Sequence, residues 1–362
     1  MSPTAKFLLP ALVLLTGLRP AVGQLIRAPL DSGFVRTSSI AVTVDEMLGS
    51  QKTRSADEPV PGPGYPALWI AEVQFKSVRH RLMEVVDPKT GAAKEELVWY
   101  LVYRFIPRDY TELAGDSRDE LLKKLNDPDF RPQNGSDPVE AYPLQLPRFV
   151  LTTDDSEDRT KYADEVNLQI QQAVFQREFA ERASSLKLLN SVQAMQEAGE
   201  PVSVSDPDPL ANAVYGVAIW RNLDPTIDYF TITMSGFSNA YRFREEDGQL
   251  VVEEKVIVQR FGRPGDEFLQ QESEFRLIDA ARLSPAGDLT LVMDGSNSTF
   301  VTGRPAPVFI GELRERLEKL QQSGQPAELT WPEWRYQARP ATIDIPDFQS
   351  ILRNAAVTAE KP

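Results

Sequence analysis

The chain carries one histidine, His80, and no cysteine. A Ser-His-Asp relay would have only His80 as its base. A zinc centre, which recruits several His or Cys ligands, has too few candidates. His80 stands in Arg79-His80-Arg81 at the end of an expected strand and reads as a surface histidine among basic neighbours. Ser184-Ser-Leu-Lys187 and Lys89-Thr-Gly91 match two fragments of the penicillin-binding enzymes. They occur in the reverse of the order that chemistry uses, and no S-x-N triplet accompanies them. Lys89-Thr-Gly91 is better explained as a turn, and Ser184 as part of a helix junction. Gly62-Pro-Gly-Tyr-Pro-Ala67 has G-x-G-x-x-A spacing, but it follows no strand and opens no helix, so it is not a dinucleotide loop.

Carboxylates are plentiful. Glu245-Glu246 and Glu253-Glu254 are adjacent pairs, and neighbours on a strand point to opposite faces, so neither pair makes an acid and base by itself. Asp154-Asp-Ser-Glu-Asp158 lacks the alternating ligands, central Gly and distal Glu of an EF-hand loop. It precedes a helical pattern starting near Thr160, where negative charge complements the helix dipole, so capping is expected. The densest stretch is Gly216 to Arg242, two apolar strands flanking Asn222-Leu-Asp-Pro225. Asp224-Pro225 suits the start of a turn, Asp228 suits a hydrogen bond back into it, and Ser238-Asn239 suits the next corner. The plain reading is a well-built β-meander. The functional reading is a binding rim at the strand ends, with Trp220 and Tyr229 as aromatic anchors and Asp224, Asp228 and Asn239 as polar contacts. No catalytic residue, metal ligand or cofactor site is assigned.

The elements that would position these residues read mainly as strands. In Leu68–Val78, Trp69, Ala71, Val73 and Phe75 share one face and Glu72, Gln74 and Lys76 the other, the pattern of a half-buried strand. Asp87 to Gly91 reads as a turn. Leu97 to Ile106 is apolar on both faces, which predicts a central strand covered on two sides. Ser117-Arg-Asp-Glu120 is a capping box opening a short helix, 126–147 reads as a loop, and Arg148–Thr153 as a strand. A helix is expected from Thr160 to about Ala183, with Val166, Ile170, Ala173 and Val174 on one face, and a second through Leu186, Leu189, Val192 and Met195. Strands follow at Val214–Arg221, Ile227–Ser235, Tyr241–Glu245, Leu250–Gln259, Glu274–Asp279 and Leu289–Met293. Asp247-Gly248 marks a hairpin, and Val308–Gln322 a helix.

The first residues set an expectation about location. Lys6 precedes an apolar run from Phe7 to Leu18, and Ala21 and Gly23 give the small-residue pattern of a cleavage site. A helix over that run spans roughly 18 Å, against a hydrocarbon core of about 30 Å, so a cleaved signal peptide over 1–23 is expected rather than an anchor. No later apolar stretch is long enough to cross a membrane. The absence of cysteine excludes a disulfide framework and a cysteine-linked lipid anchor. The formal net charge of −14 repels phosphate backbones and anionic lipid surfaces, which makes nucleic acid an unfavourable partner.

The Gly216-Val-Ala-Ile-Trp220 run, with Asp224-Pro225, Asp228, Phe230 and the following Ser238-Asn-Ala-Tyr241, resembles an uncharacterised exported family of planctomycete-type bacterial genomes. Val98-Trp-Tyr-Leu-Val-Tyr-Arg104 is similar to that family too, as is Leu189-Asn-Ser-Val192 after Arg177-Glu178. The similarity spans roughly residues 68–245. It carries no assigned activity. It implies a bacterial envelope setting, in which the sequons Asn134-Gly-Ser136 and Asn297-Ser-Thr299 have no role.

The expected fold is a β-rich α+β chain with antiparallel β-sandwich-like regions at 67–155 and 210–300. A helical segment and linker at 156–209 joins them, and the sheets could equally merge. A flexible lead-in covers 24–66, and a helix with a loose tail covers 301–362. The expected function is a non-catalytic binding or structural protein, periplasmic or extracellular, whose partner is an envelope protein or a cell-surface polymer. The alternative is a carboxylate-dependent hydrolase acting on an extracytoplasmic polysaccharide.

Overall fold

The computed structural model describes residues 32–38, 70–87, 90–108, 147–180, 185–194, 197, 202–203, 206–238, 240–246, 249–263, 273–300 and 307–338. The expected signal peptide and most of the lead-in lie outside them. So do the 117–120 capping box, the 126–147 loop apart from its last residue, the Asp247-Gly248 turn and the tail, along with Lys89, Ser184 and Asn239.

Among the described residues, the strands form two sheets. The first contains β1 (Arg36–Thr37), β2 (Ile70–Phe75), β3 (Arg79–Val86), β4 (Ala93–Arg108), β7 (Leu188–Leu189), β8 (Val214–Arg221) and β12 (Ser273–Glu274). The second contains β5 (Arg148–Thr153), β6 (Lys161–Ala163), β9 (Tyr229–Ser235), β10 (Tyr241–Glu246), β11 (Gln249–Gly262), β13 (Arg276–Leu283), β14 (Leu289–Met293), β15 (Ser296–Phe300), β16 (Glu328–Thr330) and β17 (Glu333–Ala338). Pairing is antiparallel except between β7 and β8. Among the described residues, three α-helices accompany them, α1 (Leu168–Phe179), the single turn α2 (Ser191–Ala194) and α3 (Phe309–Gln322), with a 3-10 turn at Pro209–Asn212. The fold is β-rich α+β. A boundary between 155 and 210 does not separate the sheets, because β5 joins the second and β8 the first.

β4 is the spine of the first sheet. One edge pairs with β8, Trp99 opposite Trp220, and the other with β2 and β3 in succession. Phe75 lies opposite Tyr103 and Arg79 opposite Tyr100, so Lys76, Ser77 and Val78 face two residues of β4. That one-residue excess is a β-bulge, which explains why a continuous strand pattern divides there. As its two-sided apolar pattern predicts, β4 is covered on both faces. Trp99, Leu101, Tyr103 and Phe105 point between the sheets, against Phe149, Phe230, Ile232 and Phe261 of the second sheet and Phe275 of the β12–β13 crossing. Val98, Tyr100 and Val102 point outward under Ile170, Val174 and Phe179 of α1. α3 covers the second sheet in the same way, laying Phe309, Ile310, Leu313 and Leu317 on Val256, Val258, Ile278 and Leu291. The layers therefore run helix, sheet, sheet, helix. Each large apolar side chain taken out of water contributes about 1.5–3 kcal/mol.

This layering overturns two sequence expectations. Glu72, Gln74 and Lys76 do not face water: every residue of β2 is buried, because the outer face of this sheet is covered as well. Their polarity is met internally. Arg108 donates to Glu72 Oε2 from Nη2 at 2.9 Å, Arg104 Nε donates to Gln74 at 2.7 Å, and Gln74 donates to Glu72 at 2.7 Å. Arg104 also lies 4.4 Å from the Phe34 ring and donates to the Tyr215 hydroxyl at 3.0 Å. His80 is likewise no surface residue. It is buried, edge-on to Phe275 with centroids 5.4 Å apart and tilted on Trp99 at 5.9 Å, since its place on β3 puts it on the inter-sheet side.

The helix expected from Thr160 begins later. Residues 161–163 pair with β5 instead, and Asn167 caps α1 by accepting from the Ile170 amide at 3.0 Å. The acidic run therefore sits in the β5–β6 connection and caps nothing. The second expected helix reduces to β7 and α2, whose amides at Val192 and Gln193 are met by Asn190 Oδ1. Val214–Arg221 and Leu289–Met293 form as read, and α3 starts one residue later than expected.

Gly216 in β8 has a packing reason to be glycine. A Cβ there would stand 2.2 Å from Cζ of Tyr103 on the neighbouring strand. Gly216→Ala is expected to lower stability by about 1–3 kcal/mol or more through overpacking. Urea unfolding checks this, and Tyr103→Leu in the same chain should recover part of the loss.

Candidate functional site

Of the five residues singled out by sequence, the loop between β8 and β9 holds Asp224 and Asp228, while Trp220 lies near the end of β8 and Tyr229 opens β9. The loop closes one end of the sandwich. Leu223 and Ile227 turn inward and join the inter-sheet core. Asn222 takes the left-handed conformation, φ 58°, that the reversal after β8 requires. Asp224 makes the expected turn: its Oδ1 accepts from the Thr226 amide at 2.8 Å and hydroxyl at 2.7 Å. Those hydrogen bonds hold its carboxyl below the ordinary value. Asp228 is half exposed and pairs with Arg263 Nε at 3.4 Å. Tyr229 packs on Phe309 of α3 with ring centroids 5.3 Å apart, and burial pushes its hydroxyl pKa up.

Trp220 is not a surface anchor. It is fully buried, and its indole donates to the Tyr162 carbonyl at 3.2 Å, because its position in β8 faces the opposite sheet. Asn239 lies outside the described residues. The β-meander reading therefore accounts for Trp220 and Asp224.

Two residues that sequence reading assigned no role in this loop hold it in place. Asp155, in the β5–β6 connection, accepts the backbone amides of Asp228 at 3.0 Å and Tyr229 at 2.9 Å. Burial raises the Asp155 carboxyl pKa; the two amides act against this, and the nearby charges of Asp228 and Asp154 add to it. Arg263 donates to the carbonyls of Ile227 at 2.8 Å and Pro225, and its guanidinium stands 5.8 Å from the Phe275 ring. Nothing in the local sequence distinguishes Asp155 from its acidic neighbours. Its role appears only when β5 and β9 are brought side by side.

An open cleft of about 370 Å³ lies where the chain passes from β12 in the first sheet to β13 in the second. Val35, Phe275 and Leu277 supply apolar lining, with Ser77 from the bulge. Glu274, Arg276 and Asp294 supply charge of both signs. Asp294 sits in the β14–β15 turn at φ 46°. Arg36 pairs with Asp279 beside it, and Asp279 Oδ2 accepts the Gly295 amide at 3.3 Å, which fixes that turn. Among the described residues, no group of three or more His, Cys, Asp or Glu is placed to hold a metal ion.

Behind the cleft, Glu178 of α1 ties the helix to the first sheet. It accepts from Lys76 Nζ at 2.8 Å, Arg79 Nη1 at 2.6 Å and the Tyr100 hydroxyl at 3.0 Å. Burial pushes its carboxyl pKa up, but the hydrogen bond and charge of Lys76, the charge of Arg79 and the Tyr100 hydroxyl outweigh it and hold the pKa below 4.5. A carboxyl with a depressed folded pKa contributes stability that is present above its unfolded pKa and lost as pH falls through the folded value. Glu178→Gln is thus expected to cost about 1.5–3 kcal/mol at pH 7. The gap from the parent should narrow as pH falls below 4.5, as read by urea midpoints across pH. A gap independent of pH would remove charge from the explanation.

The chain matches no protein-family model, no curated protein and no solved structure.

Proposed function

We propose that this chain is an exported, non-catalytic binding protein of a bacterial cell envelope, whose partner is an envelope protein or a cell-surface polymer. The observation that supports this reading is the seam cleft. Its apolar floor with charges of both signs at the rim, open along a sheet edge, suits an extended ligand held by many weak contacts. The carboxylates of the adjoining loop are engaged in fixing backbone: Asp155 with two amides, Asp224 with its own turn.

The hydrolase alternative draws on one feature, the raised pKa of Asp155 beside Asp154 and Asp228. The two readings separate under Asp155→Asn. A scaffold role predicts a loss of stability with ligand capture otherwise intact, because Asn keeps one acceptor oxygen. A catalytic role predicts loss of polysaccharide hydrolysis by a chain that remains folded.

The full-length chain, tagged at its C-terminus and expressed in a planctomycete-type host, should appear in the envelope fraction with Gln24 as its first residue. Cross-linking and mass spectrometry should recover a stoichiometric partner, and Arg276→Glu with Phe275 intact should reduce its yield. A chain that stays in the cytoplasm with its N-terminus uncut would overturn the export reading. A correctly exported chain that captures no partner and cleaves polysaccharide would shift the assignment to the hydrolase.

A further inference from the structure

Apart from the cleft, and adjoining the β8–β9 loop through Asp154 and Phe309, four guanidinium groups from four separate elements gather on the outer face of the second sheet, beside α3. Arg159 comes from the β5–β6 connection, Arg260 from β11, Arg316 from α3 and Arg335 from β17. Arg159 reaches Glu312 at 2.8 Å and Asp154 at 3.7 Å, Arg260 reaches Asp154 at 3.0 Å, and Arg316 reaches Glu333 at 2.8 Å. Asp154, Glu312 and Glu333 are thus divided among three of the arginines. Arg335 pairs with no carboxylate among the described residues, and its side-chain partner is the neutral amide of Gln337 at 3.2 Å. In a chain of net charge −14, this strip carries a local excess of positive charge.

The unmet donors lie in the same strip. Arg260 is buried between the rings of Phe309 and Trp331, 5.2 and 5.7 Å from its guanidinium carbon, and its Nε has no partner. The buried Trp331 indole nitrogen has none either. Burial lowers the pKa of both Arg260 and Arg335; the nearby carboxylate charges, Asp154 on Arg260 and Glu333 on Arg335 foremost, act against this, and Arg335 and Arg159 on Arg260 and Arg316 on Arg335 add to it. Arg316 and Arg159 keep the strip open to solvent, with side chains 38% and 28% exposed. The strand register places Thr231 beside Arg260, and the buried Thr231 hydroxyl donates to Asp154, the carboxylate that Arg260 also meets.

We propose that this strip binds an oxyanion, a carboxylate or phosphate group carried by a ligand, with Arg335 as its principal contact and Arg316 and Arg159 at its mouth. A planar guanidinium matches both groups through two parallel N–H donors, and an arginine already stripped of water gains more from an anion than an exposed one does. The inference holds whether or not the chain is exported, and it concerns a surface other than the seam cleft.

The test is calorimetric titration of the full-length chain at pH 7 and low chloride with sodium phosphate and, separately, sodium glucuronate. Saturable binding of either anion is expected. Phosphate alone points to a phosphorylated ligand, glucuronate alone to an acidic sugar. Arg335→Gln should weaken binding about tenfold or more, and Arg282→Gln, which changes an exposed arginine on β13, should leave it unchanged. Arg335→Lys keeps the charge but removes the fork, and should weaken binding too, which preserves the test should the Gln variant fail to fold. Absence of saturable binding in the parent, or parental affinity in the folded Arg335 variants, would overturn the proposal.

Discussion

A charged side chain on a strand covered from both sides has to meet its counter-charge inside the protein. That constraint shapes both sheets here. Arg108 with Glu72, Arg104 with Gln74 and Tyr215, and Arg260 with Asp154 are all placed on outward faces that helices and loops then cover. Removing one member of such a pair strands the other in low dielectric, which is worse than having neither. The pairs therefore act less as a source of stability than as a specification of register: Gln74 lies opposite Arg104 in the same ladder that places Glu72 within reach of Arg108. Arg335, without a carboxylate of its own, is the departure from this arrangement.

The same economy of charge separates scaffold from site. In the β8–β9 loop the polar groups mostly serve the chain itself, through the Asx turn at Asp224, the two amides held by Asp155 and the carbonyls held by Arg263. What stays open is the seam cleft, where the chain changes sheets and its backbone cannot pair continuously. The open cleft and the polar groups that fix this loop thus occupy different places in this molecule, and the density of polar residues in the sequence pointed toward the second.

Legibility followed periodicity. β8, β14, α3 and the covered part of β4 from Leu97 onward were readable because each pattern reports which faces are covered. β2 misled because strict alternation says only that two faces differ in polarity, and a face of Glu, Gln and Lys can be buried if arginines lie opposite. His80 misled for a related reason: its charged neighbours Arg79 and Arg81 occupy the other face of β3. The onset of α1 was misplaced because Val166 fits the helical period while remaining exposed, and Asn167, the cap, was given no weight. Short strands such as β6, β12 and β16 owe their form to the ladder they join and carry no pattern of their own. The arginine strip was beyond sequence reasoning, since its four residues are scattered from 159 to 335 and converge only through the topology.

The crossing of β5 into the second sheet and β8 into the first bears on how the chain reaches its native state. β4 cannot complete its sheet until β8 arrives, and β5 cannot be shielded until β9 does, so each half exposes apolar strand edges until the other is made. Closing such long loops adds only about 0.6 kcal/mol for each doubling of length, yet contacts this distant in sequence slow the search for the native pairing. A fragment ending near residue 210 would be left with an unpartnered Trp99 face and a bare β4 edge, a species prone to self-association rather than a smaller working unit.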